Sequence, residues 1–213
     1  MIRIEAFAFN AFQVNTYLVW DYSGECLVVD PAFYSVDEQE RFDSFIAKKG
    51  LILAGQINTH CHVDHLLGVE YIRSNYGCAF RAHRLEARLV ENAPLLGEIF
   101  GWDVEPLSGI DEFLEENGTV AVGTRLLRSI HVPGHSEGSL AFYSPDGGFV
   151  ITGDALFQGS IGRTDLPGGD YDTLIGSIRS HLLTLPPETL VFPGHGPSTS
   201  IGEEVAGNPF LRG

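Results

Sequence analysis

The chain has 213 residues, of which 44% are hydrophobic and 19% charged, enough apolar material for a well-filled core in one domain spanning 1–213. Twenty-eight acids against 13 bases leave a formal charge of −15, which repels phosphate backbones and anionic lipid, so neither nucleic acid nor a membrane is expected as partner. No apolar run reaches the length of a membrane span, and the start, Met1-Ile2-Arg3-Ile4-Glu5, alternates like a strand rather than a signal peptide; with three widely spaced cysteines (Cys26, Cys61, Cys78) read as reduced thiols, this gives a cytoplasmic expectation.

Residues 2–9 and 14–20 read as two strands of a hairpin around Asn10-Ala11-Phe12-Gln13. Cys26 to Asp30 reads as a buried strand stopped by Pro31. Ser35 with Glu38 is a capping-box pattern opening a helix to about Lys49. Leu51 to Asn58 is a short, apolar, glycine-containing strand. Leu66 to Tyr76 carries apolar residues at helical spacing and stops at Gly77. A short strand over 78–82 and a helix over 83–92 follow.

Residues 93–118 show no regular pattern. Their prolines and glycines suggest an irregular excursion that walls one side of a site. Strands return at 120–122, 125–132, 139–144 and 148–153, with Ser144-Pro145-Asp146-Gly147-Gly148 as the last hairpin turn. Residues 155–170 read as a glycine-rich loop. Asp172 is expected to cap a helix whose Leu174, Ile178 and Leu182 share a face, ended by Pro186-Pro187. The last strand is 189–193. Strands in both halves, each set followed by helices, suggest two packed sheets covered by helices outside. The expected class is α+β, a four-layer αββα sandwich.

Between the strand ending at Asn58 and the helix lies Thr59-His60-Cys61-His62-Val63-Asp64-His65. Imidazole and carboxylate suit zinc, iron and manganese. In extended backbone His60 and His62 face one side. Asp64 and His65 then aim at a neighbouring point, so one loop can serve two metal positions. Alone it leaves each ion short of ligands. Three further places repeat one grammar of apolar strand, glycine and metal-competent side chain: Gly134-His135, Gly153-Asp154 and Gly194-His195. Seven ligands are too many for one ion, so two divalent ions are expected, zinc first, with iron or manganese open.

These residues resemble the metallo-β-lactamase superfamily. His60-Cys61-His62-Val63-Asp64-His65 is similar to its HxHxDH motif, and His135, Asp154 and His195 follow in the family's order. The resemblance implies that His60, His62 and His135 hold the first metal. Asp64, His65 and His195 would hold the second, and Asp154 would bridge. Val14-Asn15-Thr16-Tyr17-Leu18-Val19, Thr152 to Phe157, Gly159 to Asp170 and Pro193 to Ser198 resemble the glyoxalase II-like branch. That implies a metal-dependent hydrolase acting on a small acyl thioester such as S-lactoylglutathione. The tail after His195 is short for the helical domain that helps full-length glyoxalase II hold glutathione. Loose selectivity for the thiol part is therefore expected, with Arg163, Arg81 or Arg84 as the available handles.

Mechanistically, two metals can hold a hydroxide and polarise a carbonyl, with Asp64 and Asp154 as the carboxylates at the reaction. No Ser-His-Asp arrangement is visible. A thiol leaves as thiolate with little help, so thioesters ask least of this site. The rival reading is a persulfide dioxygenase with one iron on His60, His135 and Asp154; another ester or lactone substrate is also open. A purely structural metal domain fits less well, since such sites are closed and commonly built with cysteine. Asp30 either orients a ligand histidine or merely ends its strand. Cys61 is expected to pack away from the metals, and Arg163 to pair with Asp165 or Asp170. Glu137 reads as a solvated turn residue, and Tyr143 and Trp102 as packing. His83, His131 and His181 read as ordinary surface or core residues. Oligomeric state is left open.

Overall fold

The computed structural model describes residues 1–212. The first sheet starts with β1 (Arg3–Phe9) and β2 (Val14–Trp20), antiparallel from Arg3 opposite Trp20 to Phe9 opposite Val14. It continues through β3 (Glu25–Val29), β4 (Ile52–Ile57), β5 (Phe80–His83) and β6 (Glu112–Leu114), in that spatial order. From β3 onward the pairs are parallel. The β3–β4 crossover is α1 (Val36–Lys49), and both halves of its capping box form: Ser35 Oγ accepts from Glu38 N–H, and the Glu38 carboxylate accepts from Ser35 N–H at 3.1 Å. Gly50, in left-handed conformation, ends it.

The second sheet has the order β14 (Thr199–Ser200), β13 (Leu190–Pro193), β10 (Phe149–Gly153), β9 (Leu140–Ser144), β8 (Arg125–His131) and β7 (Thr119–Val122). Only β10 and β13 run parallel in it. Between those two strands the chain forms a small hairpin, β11 (Leu156–Phe157) with β12 (Ser160–Ile161). It then forms α5 (Tyr171–Ser177), continued by a wider π-type turn over Ile178–Leu182.

Alternation along each strand sorts residues into layers. Tyr17, Val19, Leu27 and Ile57 face inward and meet Val120, Leu127, Phe142 and Ile151 of the second sheet. Leu18, Trp20 and Val28 face outward, onto Phe42 and Ile46 of α1 and Ile72 of α2 (Val69–Tyr76). On the far side Ala141, Val150 and Val191 are covered by Leu174 of α5, Ile178 and Leu182, and by Ile201 of α6 (Ile201–Gly207). The result is an α+β, four-layer αββα sandwich. Among the described residues no helix is long and apolar enough to cross a membrane.

The structure corrects several element assignments. Residues 93–118 are not wholly irregular: they contain α4 (Ala93–Phe100) and strand β6. Pro94 sits in the first turn of α4, where no N–H is needed. A Cβ at Gly97 would meet Val104 Cγ2 at 2.6 Å, so this glycine marks a close contact rather than a break. The helix expected over 83–92 is a 3₁₀ turn, Arg84–Glu86, followed by α3 (Ala87–Glu91). Val63–His65 is also a 3₁₀ turn, which delays α2 to Val69. Asp170, not Asp172, caps α5; its Oδ1 accepts from Thr173 N–H at 2.7 Å.

Candidate metal centre

Seven side chains converge where strand ends of both sheets meet. His60, His62, Asp64 and His65 lie in the loop after β4. His135 follows β8, Asp154 follows β10, and His195 follows β13. Asn58 at the root of the loop donates to His60 O at 3.2 Å and to His65 O at 2.8 Å, so one amide fixes both ends of the motif. Leu140 N–H donates to Thr59 O at 2.7 Å and ties the loop to the second sheet.

The glycines before the ligands have separate causes. A Cβ at Gly194 would collide with Asp154 Oδ1 and approach His65 Cε1 at 2.9 Å. Gly153 has φ +51°, and a Cβ there would collide with Thr59 Oγ1.

Second partners orient the imidazoles. His65 Nδ1 lies 3.1 Å from Asp30 Oδ2, and His135 Nδ1 donates to Arg163 O at 2.8 Å. His195 Nδ1 donates to Phe12 O at 3.0 Å. Thr59 Oγ1 donates to Asp30 Oδ2 and lies 3.1 Å from His60 Nδ1, from which it can accept. With Nδ1 committed, these four rings turn Nε2 toward the centre. His62 instead presents Nδ1, 2.9 Å from His135 Nε2.

His60, His62 and His135 form one group, in which one donor atom of each lies within 4.8 Å of the others. Asp64, His65 and His195 form a second group on the same criterion. His65 Nε2 is 3.7 Å from Asp64 Oδ2, and His195 Nε2 is 3.5 Å from the same oxygen. Asp154 faces both groups: its Oδ2 is 3.6 Å from His135 Nε2 and 3.5 Å from His195 Nε2, and its Oδ1 is 3.6 Å from His65 Nε2.

Most of these separations exceed a hydrogen bond. They approach the edge of about 3.3 Å expected between donors sharing a tetrahedral ion at zinc–nitrogen distances. His65 Nε2 and Asp154 Oδ1 are buried without any hydrogen-bond partner. Two acceptor nitrogens, His60 Nε2 and His135 Nε2, face each other at 3.3 Å. Unpartnered ligand atoms pointed at a common space fit divalent cations, whose binding displaces any proton on them.

The two groups differ electrostatically. Burial, reinforced by the neighbouring imidazoles, lowers the pKa of His60 well below the usual histidine range and brings His62 to about 4. Burial lowers His135 as well. Burial would also lower His65, but Asp64, Asp154 and Asp30 outweigh it and hold the pKa at about 9. His195 likewise reaches about 10, because the facing Asp154 and Asp64 carboxylates overcome burial. Burial acts against ionisation of Asp154 and Asp64, yet His65 and the other facing imidazoles keep both carboxyls below their ordinary value.

Other residues support the centre without being placed to ligate. Asp30 is a positioning residue: besides His65, it accepts from Thr59 N–H at 2.7 Å, and it holds a φ of 51° that few aspartates adopt. Cys61 is fully buried away from the ligands, and burial raises its thiol pKa. The Arg163 guanidinium pairs with Asp165 at 2.8 Å, while its carbonyl serves His135. Glu137 and His181 are exposed, Tyr143 is half-buried and Trp102 is buried.

Sequence reasoning missed Glu86. This buried carboxylate accepts from Cys61 N–H at 2.6 Å, Ser136 Oγ at 2.8 Å and Gly138 N–H at 2.8 Å, joining the two loops that carry the histidine group. Burial raises its pKa despite those bonds. It also missed Asn10, whose Nδ2 donates to Asp64 O at 3.0 Å. Its position in the hairpin turn was the only hint.

The model of the metallo-beta-lactamase superfamily matches residues 9–195. The chain is 38% identical over 202 residues to a probable metallo-hydrolase, YqgX, of Bacillus subtilis, covering 94% of this chain and 93% of that one. It is 36% identical over 218 residues to the hydroxyacylglutathione hydrolase GloC of Haemophilus influenzae, covering 99% of both. Among solved structures, the B3 metallo-beta-lactamase BLEG-1 superposes with a TM-score of 0.90 at 32% identity, covering 99% of this chain and all of that one. A di-iron-bound form of TTHA1623 superposes with 0.87 at 38% identity, covering 97% and 100%.

Proposed function

The chain belongs to the metallo-β-lactamase superfamily of metallo-hydrolases, and from that premise we propose that it hydrolyses small acyl thioesters of the glyoxalase II type. The observation that carries this reading is the shared carboxylate: one oxygen of Asp154 faces both donor groups. His60, His62 and His135 would hold one divalent ion, and Asp64, His65 and His195 a second, with Asp154 between them; the donors suit zinc, iron or manganese. When bound, such ions supply Lewis acidity toward a carbonyl and lower the pKa of water to about 7.

The chain's own residues do the rest. Asp30, Thr59, Arg163 O and Phe12 O fix which ring nitrogen each histidine presents. Asp64 and Asp154 stay ionised at neutral pH and present negative oxygens to the centre. Within the second group His195 is the more open ligand: its side chain is 29% exposed while His65 is fully buried. A thiol with a pKa of about 8.5 leaves from such a site as thiolate, whereas an amine needs a donated proton. This favours a thioester over a lactam. The likeness to GloC supports the same substrate class.

Selectivity for the thiol part should be loose. Arg163 is engaged by Asp165, and Arg84 by Glu115 at 3.2 Å and the Phe113 ring, which leaves Arg81, in β5, as the one expected handle not already paired. The test compares kcat/KM for S-lactoylglutathione and for a thioester of a small thiol, beside a β-lactam and oxygen uptake with glutathione persulfide. Both thioesters should turn over within about a hundredfold of each other, or about 2.7 kcal/mol. Absence of thioester hydrolysis, with lactam turnover or oxygen uptake instead, would sink the reading.

A further inference from the structure

Outside the centre, His83, Glu116 and His131 come together from three separate segments. His83 ends β5 of the first sheet, and His131 ends β8 of the second. Glu116 lies on the turn between β6 and β7, where the chain passes from one sheet to the other. The three donor atoms lie within 4.8 Å of one another. One carboxylate oxygen, Glu116 Oε1, stands 3.5 Å from His83 Nε2 and 3.6 Å from His131 Nδ1.

Those separations are long for hydrogen bonds. They are close to the edge of about 3.3 Å between donors on a common tetrahedral zinc ion. His131 Nε2 lies 2.9 Å from Glu137 O, which can only accept, so Nε2 carries the proton. In the neutral ring Nδ1 then has a lone pair, and it faces another acceptor, the Glu116 carboxylate. The two rings stack with centroids 5.0 Å apart at 28°, which leaves both free to aim at the same carboxylate oxygen. His83 is buried, and its Nδ1 takes only a long 3.4 Å contact from Leu85 N–H, which a ring ligating through Nε2 would give up. Glu116 is 52% exposed, so water can complete the shell.

We propose that His83, Glu116 and His131 form an additional divalent-metal site, of zinc-type donor chemistry, that clasps the two sheets together. It shares no donor with the seven-residue centre.

The experiment counts zinc bound by full-length, metal-stripped protein at micromolar free zinc, against a competing chromophoric chelator. Wild type, Glu116→Gln and His131→Gln are compared. Glu116→Gln changes an exposed turn side chain and keeps the fold, which circular dichroism checks. The wild type is expected to bind one equivalent more than either variant, whatever the occupancy of the main centre. Loading with cobalt(II) should show the same difference as loss of one absorbing site. Equal counts in all three proteins would overturn the proposal. So would a variant that loses one equivalent together with its hydrolytic activity, since that ion would belong to the main centre.

Discussion

His60 and His65 are both fully buried imidazoles a few residues apart, yet burial and neighbours push their pKa values in opposite directions. This predicts how the metal-free protein responds to pH. His62 has a depressed folded pKa, so its contribution is present above 6.5 and lost as pH falls through about 4. His65 and His195 have raised folded values, so their contribution is present below 6.5 and lost as pH rises through about 9 and 10. The metal-stripped chain should be most stable near pH 6.5, measured as urea midpoints across a pH series. A monotonic rise from pH 5 to 9 would contradict the assignment. A second prediction separates the carboxylates. Asp154 faces both donor groups and Asp64 one, so Asp154→Ala should remove activity more completely and lower the metal content further. Equal residual rates and metal contents would remove the basis for a shared ligand.

Elements meet at this site through buried polar staples rather than through apolar packing alone. The 3₁₀ turn at Arg84–Glu86 exists to place one carboxylate between Cys61, Ser136 and Gly138. Removing it leaves buried donors unsatisfied, at about 1–3 kcal/mol each. We expect Glu86→Ala to lose about 3 kcal/mol overall, a fall of about 6–12 °C in Tm for a chain of this size, with weaker metal retention. Glu86→Gln keeps one acceptor in place and should retain more of both. Calorimetry with metal analysis on the two variants checks this; equal losses would show that the acceptor does not matter. Helix α4 is placed by similar logic: it packs against the Val63–His65 turn and helps enclose Cys61, Val63 and Leu66.

At the scale of the molecule, the two sheets supply ligands to one centre: four residues from the loop after β4 and three from the ends of β8, β10 and β13. Metal binding should therefore stabilise the sandwich as a whole, not one loop. At a free metal concentration of a thousand times Kd, each ion adds about 4 kcal/mol, or on the order of 10 °C in Tm. Scanning calorimetry with and without a chelator should show a single transition moving by that order. A shift under about 2 °C would mean that the ions are not shared between the sheets.

The local signals were legible because they act over a few residues. Strand alternation, the Ser35–Glu38 capping box, the Gly50 and Gly77 stops and the His60–His65 cluster all depend on backbone geometry within one or two turns. The glycine before each later ligand was visible as a pattern, but its cause is tertiary: a Cβ at Gly134, Gly153 or Gly194 would collide with Leu174, Thr59 or Asp154. The α4 helix was missed because Pro94 and Gly97 break helices in general, and only the packing of Val104 and Trp102 shows why they do not here. Asp170 and Asp172 are equally good caps on paper; the backbone path into α5 chose the first. Glu86 and Phe12 O could not be read at all. Their partners lie up to 52 and 183 residues away, and a carboxylate or carbonyl becomes a positioning group only when folding removes water and brings a donor to it. His83, Glu116 and His131 illustrate the same limit: each is unremarkable in its own stretch, and only the crossing between the sheets sets them around one point.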